Sequence, residues 1–216
     1  MNETLSDMRP LAARFEELGF PAHAMTMWFA NTLRDAFALT VSGAYADFAA
    51  VAEAAAISVL AAQEDRPHDL ATAARHIVAG LSELPLHDDV RPALERLHAA
   101  GTRSFTLTNG SRATAARLLE RAGIAQLIED NLPVDGVRRY KPAPEAYHYA
   151  LARAGVEPAQ AMLVAVHPWD IGGAKRAGLR AGWINRGGVP YPSVLREPDV
   201  SAGDFVALAD ALLAGR

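Results

Sequence analysis

The sequence predicts an α/β protein in two parts, a helical module followed by a core in which strands and helices alternate. Three observations predict it. Apolar residues recur at helical spacing through most of the first ninety residues. Short apolar runs at 104–107, 161–166 and 182–185 then read as buried strands. Helical stretches separate these runs, the arrangement of a parallel sheet covered by helices on both faces.

The elements follow in order. Met8, Leu11, Phe15 and Leu18 repeat at helical spacing, and Met25, Trp28, Phe29, Leu33, Ala36 and Phe37 do so more clearly. Phe48, Val51, Ala52, Ala55, Ala56, Val59 and Leu60 form a third stripe. A fourth, Leu70, Ala74, Ile77 and Leu81, sits behind Asp69 as a cap. Val90, Leu94 and Leu97 mark a helix closed by Gly101. After the strand at 104–107 comes a helix over 113–122, ended by Gly123. Residues 134–137 are expected to be extended. A helix over 142–154 has proline near its start. The strand at 161–166, a helix over 170–177, the strand at 182–185 and a helix over 205–213 complete the chain.

Composition narrows the classes. The 216 residues carry a formal charge of −4, with no basic footprint for nucleic acid. The absence of cysteine removes disulfides and thiolate metal sites. No run reaches the apolar length of a membrane span, and the first residues lack the basic start and apolar stretch of a signal peptide. The expectation is a soluble, cytoplasmic protein. Among 21 Lys plus Arg, only Lys141 and Lys175 are lysine, which draws attention to each.

In parallel α/β sheets the chemistry gathers at the carboxyl ends of strands. Three polar stretches fall there: Thr108-Asn109-Gly110-Ser111, Arg139-Tyr140-Lys141-Pro142 and His167-Pro168-Trp169-Asp170. Thr108 and Asn109, with the helix start near Ser111, can bind an anion; a plain turn with Ser111 as helix cap is the other reading. Lys141 can neutralise a carboxylate and a bound anion, or be a solvated surface lysine. Asp170 suits an active-site role or an N-cap. His167 suits a general acid or base, or a hydrogen-bonded loop group. The other six histidines show no metal-ligand spacing.

Taken together, FTLTNGS, RRYKPAPEAY and VAVHPWDIGGA resemble the second, third and fourth motifs of the haloacid dehalogenase superfamily of hydrolases. The WD of the third stretch, Tyr147 six residues after Lys141, and GAYADF after a long helix point to its type II L-2-haloacid dehalogenase branch. The resemblance implies a Rossmann-like core with a parallel sheet and an inserted helical cap. It divides the chain into a nucleophile-loop remnant (1–8), a helical cap (9–88) and the α/β core (89–216). It also implies hydrolysis through an aspartyl ester, with no cofactor and no metal, on a short carboxylic acid, by a protein that pairs in some relatives as a homodimer. Lys141, Asp170, Thr108 and Asn109 take the catalytic positions. Asn2, Thr4, Leu39, Tyr147, His167 and Trp169 take substrate-binding ones.

In the family the nucleophile strand ends Asp-x-x-x-Thr, and Thr4-Leu5 matches its end. Counting back from Thr4 puts the aspartate one residue before Met1. The expectation is therefore a core whose first, central strand is absent from these 216 residues and lies upstream, roughly ten residues further back, the length of a short strand and its lead-in. Residues 1–216 alone are expected to fold poorly or rearrange, and to be inactive. Other positions depart from the pattern. Asn2 stands where dehalogenases carry tyrosine and phosphatases a second aspartate. Leu39 is matched to the dehalogenase arginine. Ala165 and His167 stand for a serine and an asparagine, and Val166 for a phosphatase carboxylate. These departures disfavour a phosphatase, which needs oxygen ligands for Mg²⁺. A non-catalytic binding protein is the competing class.

Overall fold

The computed structural model describes residues 1–62 and 67–215. A 3-10 turn at Arg9–Leu11 leads into a short helix, Ala12–Glu16 (α1). Three helices follow: Ala24–Val41 (α2), Phe48–Ala61 (α3) and Leu70–Ala79 (α4). Their stripes meet as the spacing predicts, with Phe15, Trp28, Leu60 and Ile77 fully buried in one cluster. The alanine-rich face of α3 leaves room for the Trp28 indole. Its Nε1 donates to the Ala52 carbonyl at 2.8 Å, so the polar tip of the largest buried ring has its partner. Asp69 caps α4 by accepting from the Thr72 N–H at 2.9 Å.

The core runs Val90–Ala99 (α5), Phe105–Thr108 (β1), Arg112–Arg121 (α6), Asp130–Pro133 (β2), Pro144–Ala154 (α7), Met162–Ala165 (β3), Pro168–Arg176 (α8), Arg180–Ile184 (β4), Val200–Ala202 (β5) and Phe205–Ala214 (α9). Gly101 ends α5 at φ +73°, a conformation open to glycine without a Cβ penalty. Among the described residues no helix is long and apolar enough to cross a membrane.

Three local expectations change. Residues 134–137 are not extended: Val134–Gly136 is a 3-10 turn, as Pro133 and the Asp135-Gly136 pair favour. The strand precedes it as β2. It was hidden because Asp130 and Asn131 are polar, yet both are engaged. Asp130 meets Arg112 and Arg153, and Asn131 accepts from the Thr106 hydroxyl at 2.6 Å. β5 has only three residues, too few for a periodic signal.

The sheet is in two parts. A parallel sheet without its central strand was expected, and the strands present form two. β1 pairs with β2, and β3 with β4, which pairs with β5, all parallel. A cavity of about 770 Å³ lies between β1 and β3, walled by Phe105, Leu107, Leu163 and Val164 and by Leu94 and Leu97 of α5. Because of it, the apolar residues Met162, Leu163 and Val164 of β3 are only half-buried, as are Phe105 and Leu107.

Candidate active site

The ends of β1 and β3, the turn before α7 and the first five residues converge on one point. At its centre Lys141 Nζ lies 2.5 Å from Asp170 Oδ2, with Lys141 5% and Asp170 3% exposed. A buried pair of this kind stands only where further hydrogen bonds complete it. Tyr147 donates to Asp170 Oδ1 at 2.7 Å, so both carboxylate oxygens are engaged. Burial first, and the neighbouring Asp170 second, push the Tyr147 hydroxyl far above its ordinary range, keeping it a donor.

The sequence explains these positions. Asp170 is in the first turn of α8. His167, not Asp170, is the N-cap residue of that helix, and no side chain caps it. Lys141 is not a solvated surface lysine. Asn109 clamps its backbone, accepting from Lys141 N–H at 2.9 Å and donating to its carbonyl at 3.3 Å. Ser111 caps α6 through the Thr114 N–H. Thr108 Oγ1 accepts from Gly110 N–H at 3.0 Å, shaping the turn beside Lys141. Gly173 lets α8 approach. A Cβ there would lie 2.5 Å from the Tyr147 hydroxyl and 2.6 Å from Pro142 Cβ.

The amino-terminal residues close the site from the other side. Thr4 is buried, and its hydroxyl accepts from Val166 N–H at 3.3 Å. Arg186 donates to the Thr4 carbonyl at 3.1 Å. Glu3 adopts φ +60° and brings its carboxylate 2.5 Å from His167 Nε2.

A cavity of about 30 Å³ opens onto this cluster. Asn2, Thr4, Thr108, Asn109, Lys141, His167, Trp169 and Asp170 all line it, as do Phe29, Leu33, Phe48 and Gly110. Two of the expected residues do not. Tyr147 sits behind Asp170, its hydroxyl engaged there. Leu39 packs, half-buried, against the helical cluster. At about 100° per residue, Phe29, Leu33 and Phe37 share one face of α2, and Leu39, two residues on, points elsewhere. The site-facing positions of α2 are thus Phe29 and Leu33. Both stood in the apolar stripe and read as core, since periodicity does not say what a face packs against. Glu3 left no signal in the sequence. Among the described residues no three His, Asp or Glu side chains are grouped to hold a metal ion.

A family model described as hydrolase, haloacid dehalogenase-like hydrolase, matches residues 2–178. The chain is 30% identical to (S)-2-haloacid dehalogenase 4A of Burkholderia cepacia over 191 residues, covering 87% of this chain and 81% of that protein. Among solved structures, an L-2-haloacid dehalogenase superposes with a TM-score of 0.90 at 28% identity, covering 98% of this chain and 95% of that one. The L-2-haloacid dehalogenase of Xanthobacter autotrophicus, solved with chloropropionic acid covalently bound, superposes with a TM-score of 0.87 at 23% identity, over 99% and 96% of the two chains. At that identity the likeness concerns the fold.

Proposed function

Because the chain belongs to the haloacid dehalogenase-like hydrolases, we propose that it cleaves the carbon–halogen bond of a short 2-haloacid through an aspartyl ester, and that a strand preceding Met1 carries the aspartate. One observation supports this above the rest. The larger cavity, between β1 and β3, and the smaller one, at the site, share Met1, Thr4, Lys141 and Asp170 in their walls. A strand seated between β1 and β3, parallel to both, would complete their unpaired edges. Its last residue would arrive beside the Lys141 ammonium.

The chemistry then follows from the residues. The aspartate attacks C2 and halide leaves. Water hydrolyses the ester, releasing a 2-hydroxy acid and restoring the carboxylate. Lys141 holds the aspartate ionised. Asp170 and Tyr147 hold Lys141 in place, and Asn109 fixes its backbone. Thr108 and the N–H groups entering α6 suit the substrate carboxylate. Phe29, Leu33, Phe48 and Trp169 give the small apolar wall that a two- or three-carbon acid requires. In this reading residues 9–88 are the cap and 89–216 the core.

The test is halide release from 2-chloropropionate by the chain with its upstream residues and by residues 1–216 alone. The longer form should release halide and the shorter should not. Lys141→Met in the longer form should lower kcat by about 10²-fold or more, on the scale of a lost preorganised charge. Activity of residues 1–216 alone would refute the assignment of the nucleophile. Inactivity of both would favour a second reading, a protein that binds small acids without turning them over. The engagement of both Asp170 oxygens supports that reading for residues 1–216.

A further inference from the structure

An aspartyl ester needs a base for the attacking water, and Asp170 is poorly suited to the task. Lys141 holds one of its oxygens and Tyr147 the other. A different group lines the same cavity: the His167 imidazole. Its Nε2 lies 2.5 Å from Glu3 Oε2. The Trp169 ring is 5.0 Å away and the Phe29 ring 6.4 Å, so the imidazole plane is held by packing as well as by hydrogen bonding. Nδ1 makes no hydrogen bond within the described residues, which leaves it to a water or substrate atom.

Glu3 reaches His167 from a backbone conformation, φ +60°, that a non-glycine residue rarely adopts. Such strain persists where the surroundings over-determine it. The Glu3 carbonyl is itself bonded to His87 Nε2 at 3.1 Å, and the next residue, Thr4, is pinned through Val166 and Arg186. A glycine would relieve the strain but would supply no carboxylate.

We propose that Glu3 and His167 form a carboxylate–imidazole dyad that activates the water for ester hydrolysis, with His167 the catalytic residue and Glu3 its positioning residue. This rests on the aspartyl-ester reading above. In this dyad Glu3 accepts from Nε2–H and Nδ1 serves as the basic nitrogen. Nδ1 takes a proton from water as the water oxygen bonds to the ester carbonyl carbon. The bond from that carbon to the substrate oxygen then breaks. The proton passes from Nδ1 to the departing alkoxide, yielding the 2-hydroxy acid and the aspartic acid, which gives up its remaining proton to solvent to restore the carboxylate.

The experiment is rapid-quench kinetics with 2-chloropropionate on the chain carrying its upstream residues, with intact-protein mass read at each time. His167→Gln should keep a burst of one halide per site, lose about 10²–10⁴-fold in steady-state rate, the range of a general base, and accumulate the ester. Glu3→Gln should do the same with a smaller loss. Glu3→Gly should accumulate ester while melting no lower than the parent, since it relieves the positive φ. Variants that turn over at the parental rate overturn the dyad. So do variants that lose burst and turnover together with no ester, the mark of a structural role. A parent that releases no halide overturns the aspartyl-ester reading, and the dyad with it.

Discussion

The helical region and the sheet region bury their apolar residues to very different extents. In α1–α4 the stripes are used up: Phe15, Trp28, Leu60 and Ile77 have no exposed surface to speak of. In β1 and β3 the apolar residues are as dense, yet Phe105, Leu107, Leu163 and Val164 face a cavity of about 770 Å³ and remain half-open. A helix satisfies its backbone within itself and needs neighbours only along one face. A strand needs partners on both edges as well as cover on both faces. The same apolar content therefore completes one region and leaves the other with an open cavity, where the proposed upstream strand would fit.

The largest effect should come from supplying that strand. Burying even three further apolar side chains at about 1.5–3 kcal/mol each would stabilise the fold by roughly 5 kcal/mol or more. Urea denaturation of the chain with and without its upstream residues measures this directly. The longer form should unfold at a clearly higher midpoint and with a larger slope, since more surface is exposed on unfolding. Coincident curves would mean that the cavity is not a strand seat.

Single truncations sharpen the contrast. Trp28→Ala should cost about 3–5 kcal/mol in either form, as for any fully packed aromatic. Leu163→Ala in residues 1–216 should cost less, about 1–2 kcal/mol, because the side chain borders the cavity and is already partly exposed. In the longer form the same change should approach the roughly 2–5 kcal/mol of a buried leucine. A Leu163→Ala cost that does not depend on the upstream residues would break the comparison.

Gly173→Ala probes where the two regions meet the chemistry. The added Cβ would press on the Tyr147 hydroxyl and on Pro142, displacing the groups that hold Asp170 and Lys141. A cost of about 1–3 kcal/mol from overpacking, together with a loss of roughly 10²-fold in halide release from misplacement of about 1 Å, is the expected pair of readings. Gly173 was legible in the sequence only as part of a motif. Its reason is a contact between α8 and the turn at Pro142, thirty residues away. Much of the fold was legible because helical period and short apolar runs are local. That Lys141, Asp170, Thr108, Asn109, His167 and Trp169 would lie together was legible because strand ends concentrate polar groups. Glu3, Phe29 and Leu33 escaped because their places at the cavity depend on what a distant segment packs against them. Leu39 was misplaced for the same reason, and β2 was masked by two polar residues whose partners lie on other elements.

The smallest test concerns the rim of the sheet region. Asp89, just before α5, accepts through Oδ2 from Arg186 at 2.7 Å and from the Phe205 N–H at 2.6 Å, tying together α5, the loop after β4 and the start of α9. Burial pushes its carboxyl up, but the Arg186 guanidinium and the Phe205 N–H outweigh that and hold it below its ordinary 3.8. Asp89 Oδ1 and Arg186 Nε have no partner among the described residues, so the pair is not a full two-bond fork, which limits its worth. Asp89→Asn keeps an oxygen for the Phe205 N–H and loses the charge, for a cost of about 1 kcal/mol at neutral pH. A carboxyl depressed in the folded state stabilises above its unfolded value and ceases to do so as pH falls through the folded one. The gap between parent and variant in urea denaturation should therefore be steady from pH 7 to about 5 and close below about 4. A gap that stays constant into acid, or widens there, would show that Asp89 acts by shape rather than by charge, and that the sheet region is held at its rim by packing alone.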